Sequence, residues 1–226
     1  MIKFRNVSKY YGKDIVGLEN INLHISPKEF VSIVGQSGTG KTTLVKLLTA
    51  EERCDDGRII LGDWDITSIK RADIPFLRRQ IGTIFQDFKL LPKKTVYENV
   101  AFALEVCGAS RKHIKDIVPQ ILKIVGLEDK SHRYPYQISG GEAQRVAIAR
   151  SLAHRPKILI ADEPTGNLDS INTKEIIDLL LRINDFGTTV ILVTHNKDVV
   201  NSIRRRVVTL DNGVIVSDQV KGRYRL

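Results

Sequence analysis

The run Gly35-Gln36-Ser37-Gly38-Thr39-Gly40-Lys41-Thr42-Thr43 carries the spacing G-x-x-x-x-G-K-[ST]. Glycines at those positions expose backbone N–H groups, and a single lysine adds a compact cation, so the run suits a polyphosphate. Far downstream, the apolar stretch Ile158-Leu159-Ile160-Ala161 ends in Asp162-Glu163. One acid in that position can hold Mg²⁺ and the other can activate a water. The two segments together point to hydrolysis of a nucleoside triphosphate.

Chemistry of this kind needs elements that aim it. Phe30-Val31-Ser32-Ile33-Val34 reads as a buried parallel strand, and Thr42 to Leu48 as a helix. Strand, glycine-rich turn and helix place the phosphates at a helix N-terminus, where free N–H groups and the dipole both attract anions. The acids close a second buried strand at 158–162, and Thr189-Val190-Ile191-Leu192-Val193 forms a third, ending at His195. Alternation at Ile2 and Phe4, and again at Leu23 and Ile25, predicts half-exposed strands. Short strands are also expected at 58–61, 81–85, 206–210 and 214–216, the last two joined by an Asp211-Asn212-Gly213 turn. From about Thr95 to His154 the period is helical. Ile114, Ile117, Val118, Ile121, Leu122 and Val125 make one stripe, inside which Pro119 is expected to kink or open the helix. Ile176, Leu179, Leu180 and Ile183 share one face of a further helix between the two buried strands. The reading is an α/β core interrupted by a helical insert.

Composition sets bounds. At 226 residues, 42% apolar and 27% charged, the chain suits one large soluble domain or two small lobes. No apolar run approaches the ~20 residues a bilayer crossing needs, and the N-terminus has no apolar signal core. Cys54 and Cys107 show no metal-ligand spacing and read as reduced thiols. The net charge of +9 gathers at Arg204-Arg205-Arg206 and in the tail Lys221-Gly222-Arg223-Tyr224-Arg225. It suits an anionic membrane surface, nucleic acid, or simple solubility. No nucleic-acid-binding signature accompanies it, so no nucleic-acid partner is expected.

Ile138-Ser139-Gly140-Gly141-Glu142-Ala143-Gln144-Arg145 resembles the signature motif of ABC-type ATPases. The order of phosphate loop, Gln86, Ser139-Gly140-Gly141, Asp162-Glu163, Asp169 and His195 is similar to that family over nearly the whole chain. The resemblance implies a P-loop NTPase core, α/β with a mixed sheet and an antiparallel β edge, over 1–87 and 156–226. A helical subdomain would occupy about 88–155. It implies ATP and Mg²⁺, and hydrolysis to ADP and phosphate. Gly35 through Thr43 would bind ATP, with Tyr11, or Tyr10 beside it, stacking on adenine. Thr42, Gln86 and Asp162 would hold the metal; Glu163 would be the general base, assisted by Gln86 and His195. Ser139, Gly140, Gly141 and Glu142 would act on the ATP of a second copy in a head-to-tail homodimer formed on ATP binding, with Asp169 at its seam. Ile138, Glu142 and Ala143 depart from the commonest pattern but leave the glycines and the hydroxyl in place.

Ala161 to Asp169, Ile74 to Gly82, Phe85 to Pro92 and Thr95 to Val106 resemble the branch of cell-division, lipoprotein-release and macrolide-export ATPases, the cell-division members most of all. That implies an integral membrane partner, a peripheral position on the cytoplasmic face of the membrane, and control of cell-wall hydrolases. The partner would dock in a groove near Phe88, Leu90, Leu91 and Tyr97. The alternative within the branch is the energy subunit of an exporter or lipoprotein-release transporter. The basic tail is expected to touch lipid.

Overall fold

The computed structural model describes residues 1–12 and 15–224. The chain opens with β1 (Ile2–Tyr11) and β2 (Ile15–Ile25), then β3 (Phe30–Val34) feeding α1 (Lys41–Leu48). β4 (Asp56–Leu61), β5 (Trp64–Asp65), α2 (Ile74–Arg78) and β6 (Ile81–Ile84) complete the first part. Three helices follow, α3 (Val96–Val106), α4 (Arg111–Ile124) and α5 (Gly140–Leu152). The chain then returns to strands: β7 (Ile158–Asp162), α6 (Ser170–Asp185), β8 (Thr189–Val193), α7 (Lys197–Ile203), β9 (Arg206–Asp211) and β10 (Val214–Gln219).

The strands form two sheets. One is antiparallel, in the order β2-β1-β4-β5; the other has six strands in the order β10-β9-β3-β8-β7-β6. In the larger sheet β9, β3, β8, β7 and β6 run parallel, and only β10 is antiparallel, to β9. The antiparallel part of the expected mixed sheet therefore divides: β10 edges the main sheet, while β1, β2, β4 and β5 make a sheet of their own.

β3, β8 and β7 are neighbours, so the phosphate loop, Asp162-Glu163 and His195 all leave the sheet at adjacent carboxyl ends. Open α/β sheets bind ligands in the crevice at such ends.

Side-chain alternation explains why β7 is apolar throughout. Leu159 and Ala161 face one hydrophobic cluster with α3, α4, α5 and α6; Ile158 and Ile160 face another with α1 and the antiparallel sheet. The helices of the insert thus share a core with one face of the sheet.

The helix ends are chemically specified. Thr95 and Glu98 form a capping box on α3, and Ser110 caps α4. α4 runs unbroken through Pro119, against the expected opening. The carbonyl that loses its donor is that of Lys115, an exposed residue, so the loss opens no gap in the buried stripe. α2 and α7 were not legible as helices, being five and seven residues long. The arginine cluster is also partly structural: Arg206 bonds Asp218 at 2.7 and 2.8 Å and Glu29 at 2.9 Å, which holds its guanidinium charge firmly. In the tail, Lys221 and Arg223 are exposed, but Gly222 and Tyr224 turn inward and are buried; Arg225 and Leu226 lie outside the described residues.

Candidate functional site

The phosphate loop is shaped by close approaches that only glycine permits. Gly40 has φ 100° at the N-cap of α1, and a Cβ there would stand 2.3 Å from the Gly17 carbonyl oxygen. Gly35 abuts the Leu210 carbonyl equally closely. Inside the loop, Lys41 Nζ donates to the carbonyls of Gly35 at 2.8 Å and Gln36 at 2.6 Å. Burial lowers the pKa of the Lys41 ammonium, while Glu163 and Asp162 act to raise it. The Thr39 hydroxyl donates to Gln36 O at 2.9 Å.

Across from the loop, Glu163 sits immediately after β7 with φ 47°, an uncommon conformation for a residue with a side chain. Its N–H is tied to Val193 O at 2.8 Å. The twist brings its carboxylate to the end of β8. Oε1 lies 2.6 Å from His195 Nδ1 and accepts from the His195 amide at 3.1 Å, and Oε2 accepts from the Thr194 hydroxyl at 3.0 Å. Backbone strain of order 1–3 kcal/mol is characteristic of functional sites. Asp162 is held in register opposite Val193. Burial first, then the charge of Glu163, raises its carboxyl pKa, against Lys41 and Lys89.

These groups border one open cavity of about 750 Å³. Gln36, Ser37, Gly38, Gly40, Lys41, Thr42 and Thr43 form its floor; Gly35 and Thr39 do not, because they are turned into the protein to shape the loop. Gln86, Asp162, Glu163 and His195 form one wall. Tyr11, Ile15, Val16 and Gly17 form the other, and Tyr10 is not part of it. Gly17 makes room for the Tyr11 ring, since a Cβ would come within 2.8 Å of it. The Gln86 side-chain amide donates to Asn167 Oδ1 at 3.5 Å, and Asn167 Nδ2 donates to the Gln86 backbone carbonyl at 3.3 Å.

Ser139, Gly140, Gly141, Glu142 and Asp169 lie outside this cavity. Ser139 accepts from the Glu142 amide at 3.2 Å, and the Ser139 amide donates to the Glu142 carboxylate at 2.8 Å, a capping box at the start of α5. Asp169 caps α6 through the Asn172 amide at 2.8 Å. Gly141 admits Asn172 against α5; a Cβ there would overlap its side-chain oxygen.

A sequence family described as ABC transporter matches residues 18–166. The chain belongs to the ABC transporter family. It is 48% identical over 224 residues to the cell division ATP-binding protein FtsE of Streptococcus pneumoniae serotype 2, covering 99% of this chain and 97% of that protein. The Bacillus subtilis FtsE is likewise 48% identical, over 99% and 98%. The Escherichia coli K12 FtsE is 45% identical, over 94% and 96%. Among solved structures, the dimeric ATP-binding cassette MJ0796, in a post-hydrolysis state bound to ADP and Pi, superposes with a TM-score of 0.88. It is 35% identical, covering 99% of this chain and all of that one. Clostridium perfringens cbiO1, part of the ABC transporter complex cbiONQ, superposes at 0.90 with 31% identity, over 97% and 88%. This ABC subunit is therefore an ATPase that uses ATP and Mg²⁺.

The donor set of the cassette fits the metal. Among the described residues no three His, Cys, Asp or Glu side chains gather as a self-sufficient metal site. Thr42 and Gln86 offer neutral oxygens and Asp162 one carboxylate, which suits Mg²⁺ completed by phosphates and water. Sequence reasoning missed Thr194, Asn167, Lys197 and Tyr224 in or beside the site, and nothing local distinguishes a lone threonine or asparagine in a loop. It also missed Gln144, whose buried amide donates to Pro164 O at 2.7 Å and ties α5 to the segment after Glu163. Arg150, on the same helix, donates to the carbonyls of Phe88 and Lys89 just past Gln86.

Proposed function

We propose that this chain is the ATP-hydrolysing subunit of a membrane complex of cell division, working as a homodimer that ATP closes head to tail. One observation carries the reading: Lys41, Asp162, Glu163 and His195 share a cavity from which the Ser139-Gly140 helix start is absent. A second copy presenting Ser139 and the N-terminus of α5 to that cavity completes the site, with helix dipole and backbone N–H groups aimed at the terminal phosphate. Asp169 then lies at the seam.

Within one protomer the roles follow from the geometry. Lys41 and the loop N–H groups bind the β- and γ-phosphates. Glu163 takes the proton of the attacking water; the Thr194 hydroxyl and the His195 amide fix its two oxygens so that one face stays turned to the cavity. His195 lies beside it and orients both water and phosphate. Thr42, Asp162 and Gln86 would hold Mg²⁺, which supplies charge neutralisation of the phosphates. Tyr11 offers a flat face to the base.

No helix among the described residues is long and apolar enough to cross a membrane. The reading therefore places the chain peripherally, on the cytoplasmic face, bound to an integral FtsX-like partner. Phe88, Leu90, Leu91 and Tyr97, each half-buried, would line the docking groove in this reading. Leu90 and Tyr97 also pack on the insert's core. The likeness to cell division ATP-binding proteins favours this assignment over an exporter subunit.

Glu163→Gln tests the reading. With ATP and Mg²⁺ the variant is expected to elute as a dimer that does not turn over, and to retain a multi-span membrane protein on pull-down from native membranes. A monomer under saturating ATP rejects the composite site; a dimer that captures no membrane protein rejects the complex.

A further inference from the structure

The C-terminal tail reaches the nucleotide site at Tyr224. Tyr224 is buried, at 4% exposure, and lines the same cavity as Lys41, Glu163 and His195. Its ring packs with Val34, Val200 and Val207 in a small cluster separate from the two main cores. Each of those valines belongs to a different element. Val34 is the last residue of β3 before the phosphate loop, Val200 lies in α7, and Val207 in β9. α7 begins two residues after His195.

The tail is fastened, not merely laid across. The Tyr224 amide donates to Asn201 Oδ1 in α7 at 2.9 Å, and the Gly222 amide donates to Arg205 O at 3.2 Å. A Cβ on Gly222 would stand 2.7 Å from the Val207 Cβ, so the strap requires glycine to lie this close. Lys197, the first residue of α7, holds its ammonium 5.6 Å from the Tyr224 ring centroid, within cation–π range.

We propose that Tyr224 is a positioning residue for ATP hydrolysis: its ring is a wedge that sets α7, and through it His195, against the strand that carries the phosphate loop. The mechanical argument is short. α7 is only seven residues long: Val199 and Ile203 anchor one side of it in the helical core, His195 is itself largely exposed, and Tyr224 packs on Val200. Tyr224 joins the middle of α7, at Val200 and Asn201, to the last residue of β3, Val34. Burial, and then the charge of Glu163, raises the phenol pKa, so the wedge stays neutral beside a carboxylate. The inference rests on the reading of His195 as a hydrolytic residue.

The test is a double-mutant cycle on steady-state ATPase activity, with thermal melting to verify the fold. Tyr224→Ala is expected to lower kcat about tenfold while KM for ATP changes less than about threefold, because the phosphate loop is untouched. Tyr224→Phe, which keeps the ring, is expected to restore most of the turnover. In a His195→Ala background, Tyr224→Ala should cost nothing further, since the two act as a unit. If Tyr224→Ala does not fold, Asn201→Ala loosens the strap without opening the valine cluster and should show a smaller loss of the same kind. Full turnover in Tyr224→Ala, or in Asn201→Ala where that variant is needed, overturns the proposal while leaving His195 in place. So does a loss confined to KM, or an equal loss with His195 already removed. Unchanged turnover in His195→Ala alone overturns the reading of His195, and the wedge with it.

Discussion

Lys41, Asp162, Glu163 and His195 meet around one cavity, whereas Ser139, Glu142 and Asp169 close the ends of their own helices on a different surface. In the first region polar groups are held in uncomfortable states. Asp162 is buried beside another acid, its pKa raised; Lys41 is partly desolvated; Glu163 adopts a left-handed backbone. In the second, hydrogen bonding is locally complete, and the cap amides hold the Glu142 and Asp169 carboxyls below their ordinary pKa values. Groups under electrostatic strain wait for a ligand to relieve it. In the proposed dimer, groups already satisfied would serve as a preformed docking edge that a partner can meet without reorganisation. The difference supports a division of labour in which one half of the proposed composite site binds nucleotide and the other meets it.

The sharpest way to break this contrast is to damage the halves on separate chains. Lys41→Ala and Ser139→Arg should each lose ATPase activity by about a hundredfold or more, but an equimolar mixture should recover a substantial fraction, because a mixed dimer retains one intact site. Absence of recovery, with mixed dimers demonstrated, would mean the halves do not act in trans. Gly141→Ala comes next in size. Its methyl overlaps Asn172, so it should destabilise the α5–α6 contact by about 1–3 kcal/mol and weaken ATP-driven dimerisation, while ATP binding by the monomer persists. Thermal melting and nucleotide titration separate the two effects.

The smallest effect is a pH response of opposite sign in the two halves. Asp162 has a raised folded pKa, so its ionised form weakens the fold above that value and the penalty fades as pH falls through it. Asp162→Asn should therefore raise the melting temperature near pH 7, with the gain shrinking toward about pH 4. Glu142 has a lowered folded pKa, so its cap stabilises above the unfolded value and is lost as pH falls. Glu142→Gln should lower the melting temperature near pH 7, and that loss should also shrink in acid. Parallel signs in the two variants would erase the distinction.

Much of this was legible in the residues. The loop glycines, the apolar strand before Asp162-Glu163 and the order of motifs specify local backbone forms, because each depends on neighbours a few positions away. The stripe on α4 did so as well, and Pro119 did not break it, since the hydrogen bond it removes is that of Lys115, an exposed residue. Gly141 was read as a surface for phosphate, yet in this chain its missing side chain also admits Asn172. Tail residues read as a lipid contact proved to alternate as far as they are described, with Lys221 and Arg223 outward and Tyr224 inward.

The sequence by itself determined the phosphate loop, the paired acids and the alternation of strand and helix, for these are encoded by short-range sterics and hydrophobic period. Only the tertiary structure decided that Glu163 is held by Thr194 and His195, that Asn167 answers Gln86, and that Tyr224 returns to the cavity. Glu163 meets Thr194 and His195 across 31 and 32 positions, Gln86 meets Asn167 across 81, and Tyr224 packs on Val34 across 190. Such pairings follow from the strand order β3-β8-β7 and the path of the tail, which no local pattern contains.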